Sequence, residues 1–130
     1  MITHEQKKLR ALLAKLRHAP LQAFPAAHER IDAPEGLGVY VIYNARRQVL
    51  HVGRTPKGVG GIRQRLKNHL HNASSFTTKH LNGDGSKLRR GCSFRCLVVK
   101  NPRHRALLEA YAIGCLCPAH IGDGSGLLDR

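Results

Sequence analysis

The sequence predicts one small domain of mixed α/β (α+β) class, and three observations carry that prediction. β-Branched and aromatic runs at residues 39–43 and 49–53 flank a polar turn, and a further run covers residues 92–100. Leucine, isoleucine and alanine recur at helical spacing before, between and after these runs. A chain of 130 residues with 42% hydrophobic content has the length of one domain, and at that size folding buries roughly two-thirds of the unfolded surface.

Residues 3–18 repeat Leu9, Leu12, Leu13 and Leu16 at three- and four-residue spacing, with Lys7, Lys8, Arg10, Lys15 and Arg17 on the other side. That is the pattern of an amphipathic helix. Pro20, Pro25 and Pro34 break helical continuity, so residues 1–35 read as a helix and irregular connection appended to a main body at 36–122. Within that body, Gly38 opens a hairpin whose strands are joined at residues 44–48. A glycine-rich loop over 55–61 leads into residues 62–71, where Ile62, Leu66 and Leu70 recur every four residues on one helical face. Ser74 or Ser75 can cap a further short helix before a turn at 82–86. Residues 92–100 form the third strand. Asn101 and Pro102 are a cap and first-turn pair for a helix running to about Leu116, with Ala106, Ala110 and Ile113 along its inner side, and 123–130 are a short tail.

Twenty-two Lys and Arg against eight Asp and Glu give a net charge of +14. Between Gly36 and Gly122 the only acids are Asp84 and Glu109. Such a surface binds phosphates by counterion release, which points to nucleic acid; an acidic protein or a membrane surface is also compatible, and excess charge can serve solubility alone. Aromatics at 5% with no Trp are too few for a single-strand stacking platform. No apolar run approaches the roughly 20 residues of a membrane span, and the start of the chain is charged where a signal peptide is apolar. The expected location is therefore cytoplasmic, or associated with the nucleoid. There Cys92, Cys96, Cys115 and Cys117 stay reduced; their spacing is not that of a zinc knuckle, and buried core thiols are expected.

Gly38-Val39-Tyr40 and His51-Val52-Gly53, one on each hairpin strand, resemble the signature of the GIY-YIG nuclease family. Arg65 and, four residues later, His69 match the family's first helix, and Glu109 within Ala106-Leu107-Leu108-Glu109-Ala110-Tyr111 resembles its lone metal-binding glutamate. The match runs over residues 36–122 in the family's order. It departs at His51, where the family has Tyr, and after the last helix, where an Asn near a proline is replaced here by Pro118-Ala119-His120. The resemblance implies a small central three-stranded antiparallel sheet flanked by helices, and an endonuclease that hydrolyses DNA phosphodiesters with one divalent ion, Mg²⁺ or Mn²⁺.

Phosphodiester hydrolysis needs a base, a cation over the phosphate and a Lewis acid. Tyr40 with His51 would activate water, Arg65 with His69 would hold the phosphate, and Glu109 would bind the metal. Gly38 and Gly53 would allow close backbone approach. Arg54, Lys57, Arg63, Lys67, Lys79 and His120 are candidate DNA contacts, although Arg63 and Lys67 also fit a solvated basic helix face. An Arg105 to Glu109 pair at four-residue spacing is the plain alternative for Glu109, and His51, His69 and Glu109 can also be drawn as a zinc site. Three classes follow: the nuclease, a catalytically degraded basic domain that only binds nucleic acid, and a protein-interaction domain using its first helix for a dimer or partner contact; a homodimer could form through that helix or on DNA.

Overall fold

The computed structural model describes residues 1–55 and 60–121. Lys57 and the predicted tail lie outside the described residues. Among the described residues no helix is long and apolar enough to cross a membrane.

Helix α1 (His4–Arg17) opens with a capping box, in which the Thr3 side chain accepts from the Gln6 amide and the Gln6 side chain accepts from that of Thr3. Strands β1 (Gln22–Ala23), β2 (Gly38–Tyr43) and β3 (Val49–Arg54) follow, then α2 (Gly61–Leu70), α3 (Ser75–His80), a 3₁₀ turn (Gly85–Arg89), β4 (Ser93–Val98) and α4 (Pro102–Leu116). The class is α+β, as the sequence predicts. The sheet has four antiparallel strands rather than three, in the order β1-β4-β2-β3. The extra strand is only two residues long and lies between Pro20 and Pro25, so it carries no alternation by which a sequence reading detects a strand.

Strand β2 is buried along its whole length because both faces are covered. On one face Val39, Val41, Tyr43 and Val52 pack with Leu13 and Leu16 of α1 and Leu108 and Ala112 of α4. On the other, Tyr40, Ile42 and Phe94 pack with Ile62, Leu66 and Leu70 of α2, Phe76 of α3 and Leu88. Residues 1–35 are therefore not an appendage: Leu13, Leu16, Phe24, Ile31 and Ala33 are all buried in these two cores. The leucine face that a helix-mediated homodimer would need is turned inward. The predicted inner face of α4 is also rotated, since Arg105, Leu108 and Ala112 are buried while Ala110 is exposed. Leucine at 108 outweighs the smaller alanines, and Arg105 reaches the helix's approach by donating to the carbonyls of Val99 and Lys100 at 3.1 and 3.0 Å. Cys92 and Cys96 pack against the core half-buried, and burial pushes the Cys96 thiol up to about 11, but Cys115 and Cys117 are exposed at the end of α4, contrary to the expectation of core thiols.

Two local features set the geometry of the site. Opposite Ile42 and Tyr43, the pairing passes from His51 to Val49, leaving Leu50 as an extra residue in β3; this bulge puts Leu50 into the core beside α2 while His51 keeps the Tyr40 face. Helix α2 has no side-chain cap, and its first amides are met instead by backbone: Ile62 donates to the Gly36 carbonyl at 3.0 Å and Arg63 to that of Pro34 at 2.9 Å.

If α1 is part of the core, Leu16→Ala, at a position with no exposed surface, should cost about 2–5 kcal/mol in urea unfolding through a single transition. A loss below about 1 kcal/mol, or a separate early transition, would mean that the helix is an add-on.

Candidate functional site

Antiparallel pairing sets Tyr40 of β2 opposite Gly53 of β3, with both on the sheet face covered by α2. A Cβ at residue 53 would lie 2.3 Å from Tyr40 Oη, so only glycine lets the phenol cross the neighbouring strand. Gly38 is constrained in the same way, since its Cβ would meet the Leu97 carbonyl oxygen at 2.0 Å and Ile62 Cδ1 at 2.8 Å. Both sequence-chosen glycines are thus close approaches. Tyr43 faces the opposite core, where Arg95 Nη1 donates to its hydroxyl at 3.1 Å.

Beyond Gly53, Tyr40 Oη lies 2.6 Å from His69 Nε2 on α2. A chain of side chains fixes which atom carries the proton. Thr77 Oγ1 donates to the His69 carbonyl at 2.5 Å, and Ser74 Oγ donates to Thr77 Oγ1 at 3.1 Å. With its own proton so used, Ser74 Oγ can only accept from His69 Nδ1, 2.7 Å away. His69 therefore carries its proton on Nδ1, and Nε2 accepts from the Tyr40 hydroxyl. Ser74 is also the N-cap of α3, accepting from the Thr77 amide at 3.1 Å. Its capping role was readable in the sequence; its hold on His69 had no signal, because it depends on how α2 and α3 meet.

Arg65, one turn before His69, is the electrostatic hub of the cluster. Its guanidinium is within hydrogen-bonding and electrostatic reach of Tyr40, and electrostatic reach of His51, His69 and Glu109. Its Nε and the Nδ1 of His51 are buried without a hydrogen-bond partner, two unmet polar atoms in one cluster. Burial pushes the Tyr40 phenol up to about 12, with Arg65 opposing. Burial drives His51 down to about 3, aided by the neighbouring His120 and Arg65, and drives His69 well below its ordinary value. Both imidazoles are neutral at pH 7.

His51 is stacked on Phe76, with ring centroids 4.8 Å apart and planes at 15°, and touches the rings of Tyr40, His69 and His120. His120 is held beside it because residues 119–120 run along the edge of β3, the amides of Ala119 and His120 donating to the Val49 and Leu50 carbonyls at 3.1 and 2.9 Å. It thus packs on His51 and Phe76.

Glu109 is half-buried on α4, and its partner is not Arg105: Arg54 Nε donates to Glu109 Oε1 at 2.9 Å. Desolvation raises the Glu109 carboxyl, while Arg54 and Arg65 oppose the rise. Arg54, expected as a DNA contact, is engaged in this pair. Among the described residues no three His, Cys, Asp or Glu side chains stand together to hold a metal ion, which removes the His51, His69 and Glu109 zinc site. One carboxylate with a single pairing retains acceptor capacity, which fits a Mg²⁺ ion that keeps most of its waters.

The remaining candidate contacts divide. Arg63 and Lys67 lie on the side of α2 away from Arg65 and His69, beside a groove lined also by Arg30 and Arg89. Lys79 is exposed on α3. A scan against protein-family models finds no match, and neither does a search of curated proteins.

Imidazoles kept neutral in the fold but titrating near 6.5 in the open chain take up protons only on unfolding below that pH. For His51 that stabilisation is complete above about pH 6.5 and is lost as the pH falls toward 3. His51→Gln should accordingly remove about 1.4 kcal/mol per pH unit from the slope of unfolding free energy between pH 4 and 6. Urea unfolding of both proteins across that range decides it, and parallel slopes would refute a neutral buried His51.

Proposed function

We propose that this chain is a metal-dependent DNA endonuclease of the GIY-YIG type. The observation that supports the reading best is convergence: Tyr40, Arg65, His69 and Glu109 come from β2, α2 and α4, yet form one electrostatically coupled group, with Tyr40 hydrogen bonded to His69 at 2.6 Å.

In that reading Arg65 binds the scissile phosphate, since among the described residues no carboxylate lies within ion-pair distance of it and its Nε lacks an acceptor. Its positive charge also favours the Tyr40 phenolate. Tyr40, on accepting a proton from the attacking water, passes its own to His69 Nε2, the acceptor already aligned with it. Ser74 holds His69 in the tautomer that can receive this proton. A Mg²⁺ or Mn²⁺ ion held by Glu109 would supply Lewis-acid stabilisation of the leaving oxygen. For that, Arg54 must yield part of its hold on Glu109 to the bound phosphate's charge.

One observation favours the runner-up, a basic nucleic-acid-binding domain without catalysis. Tyr40 has no exposed surface, and its hydroxyl is satisfied by a neutral histidine.

Incubation with supercoiled DNA in Mg²⁺, in Mn²⁺ and in chelator separates the two. The nuclease nicks only with metal, and Glu109→Gln, Tyr40→Phe and Arg65→Ala each lower the rate by about 100-fold or more. Binding without nicking in either metal would establish the runner-up instead.

A further inference from the structure

We propose that α2 is a ridge straddled by duplex DNA, with the phosphates of one strand beside Arg65 and those of the other in a basic groove on the opposite side of the helix. This rests on reading the chain as a DNA-binding protein, and it names the substrate form as duplex.

The helix itself divides its cations. At about 100° per residue, the direction midway between Arg63 and Lys67 lies roughly 160° around the axis from that midway between Arg65 and His69. The first pair faces a groove of about 720 Å³ between α2 and residues 27–31, where Arg30 and Arg89 join them and Glu29 and Glu35 are the acids. Four cations thus meet two carboxylates. Arg63 and Arg30 approach the same oxygen, Glu35 Oε1, at 2.6 and 3.6 Å, so one carboxylate serves two guanidiniums. Arg63 Nε is buried with no acceptor. A phosphate group offers acceptors for such donors and the charge to balance the surplus.

The crest between these two sides of the helix is uncharged. It carries Gln64, exposed, and Asn68, half-buried, with Gln64 Nε2 donating to Asn68 Oδ1 at 2.9 Å. Amides are the side chains that meet base edges in the major groove, whereas cations meet the backbones on either side. The dimensions agree: an α-helix with its side chains is about 10–12 Å across, and the major groove is about 12 Å wide. A single strand would supply phosphates to one side of the helix at a time.

Binding of a duplex and of a single strand of the same sequence, followed by fluorescence anisotropy in chelator over a series of salt concentrations, tests this. The double variant Arg30→Ala/Lys67→Ala removes two exposed cations of the groove; Lys8→Ala/Lys15→Ala removes two exposed cations of α1 and serves as the control. The groove variant should make the duplex salt slope shallower by about 1.8, near 0.9 for each lost phosphate contact, and the control should leave it unchanged. On the single strand, the groove variant should have less than half its duplex effect. Equal effects of the two double variants, or equal effects on duplex and single strand, would overturn the proposal. Absence of any DNA binding would overturn it together with the DNA reading. Because chelator prevents cleavage, binding that passes this test with no nicking under metal rejects only the nuclease.

Discussion

The contact between Tyr40 and His69 is where the sheet and the helices on one face become a single object. For the phenol to reach α2 it must pass over β3, and it can do so only where that strand lacks a side chain, at Gly53. For His69 to meet it, α2 must start where the Pro34 and Gly36 carbonyls receive its first amides. For the imidazole to accept rather than donate, α3 must begin at Ser74. Three separate pieces of chain are thereby committed to one proton. A buried polar network in this position is destabilising unless every member is met, which makes it a strong constraint on the register of β2 against β3 and on the placement of both helices.

The resemblance to the GIY-YIG motifs singled out Tyr40, Arg65 and His69, and local period added only how such residues face. Alternation in a strand put Tyr40 and Tyr43 on opposite faces, and a separation of four put Arg65 and His69 on one flank of a helix. Both relations are properties of a single element and survive folding unchanged. The order of motifs in the family the chain resembles added Glu109, which no local period could have joined to Tyr40. The boundaries of α4 were equally legible, because Asn101 caps it and Pro102 occupies its first turn.

What escaped the sequence depends on contacts between elements. Strand β1 is a two-residue addition that exists because β4 offers an edge, and the inner face of α4 was misplaced because alanines mark a helix but do not decide which side packs deepest. The choice of Arg54 over Arg105 as the partner of Glu109 has the same origin. Arg105 lies at the favoured spacing on the same helix, but its guanidinium is taken by two backbone carbonyls at the end of β4, and the end of β3 supplies the cation instead. Pairing at four residues is worth only a few tenths of a kcal/mol and yields readily to such a competitor.

The electrostatics of the cluster bear on how a phosphate would be received. His51 and His69 are neutral and Tyr40 keeps its proton, so the charged groups are Arg65, Arg54 and, when ionised, Glu109. Arg54 and Glu109 cancel, leaving Arg65 as the uncompensated charge of the group. In a partly desolvated setting an unbalanced guanidinium favours an incoming anion more strongly than it would in water. The same charge, by opposing the rise in the Tyr40 pKa, acts on the group proposed to take the proton. Binding a phosphate would weaken that help by neutralising Arg65, so a second positive charge is needed at the moment of proton transfer. Arg54 stands one carboxylate away, and a divalent ion on Glu109, as proposed, would both free it and add its own charge.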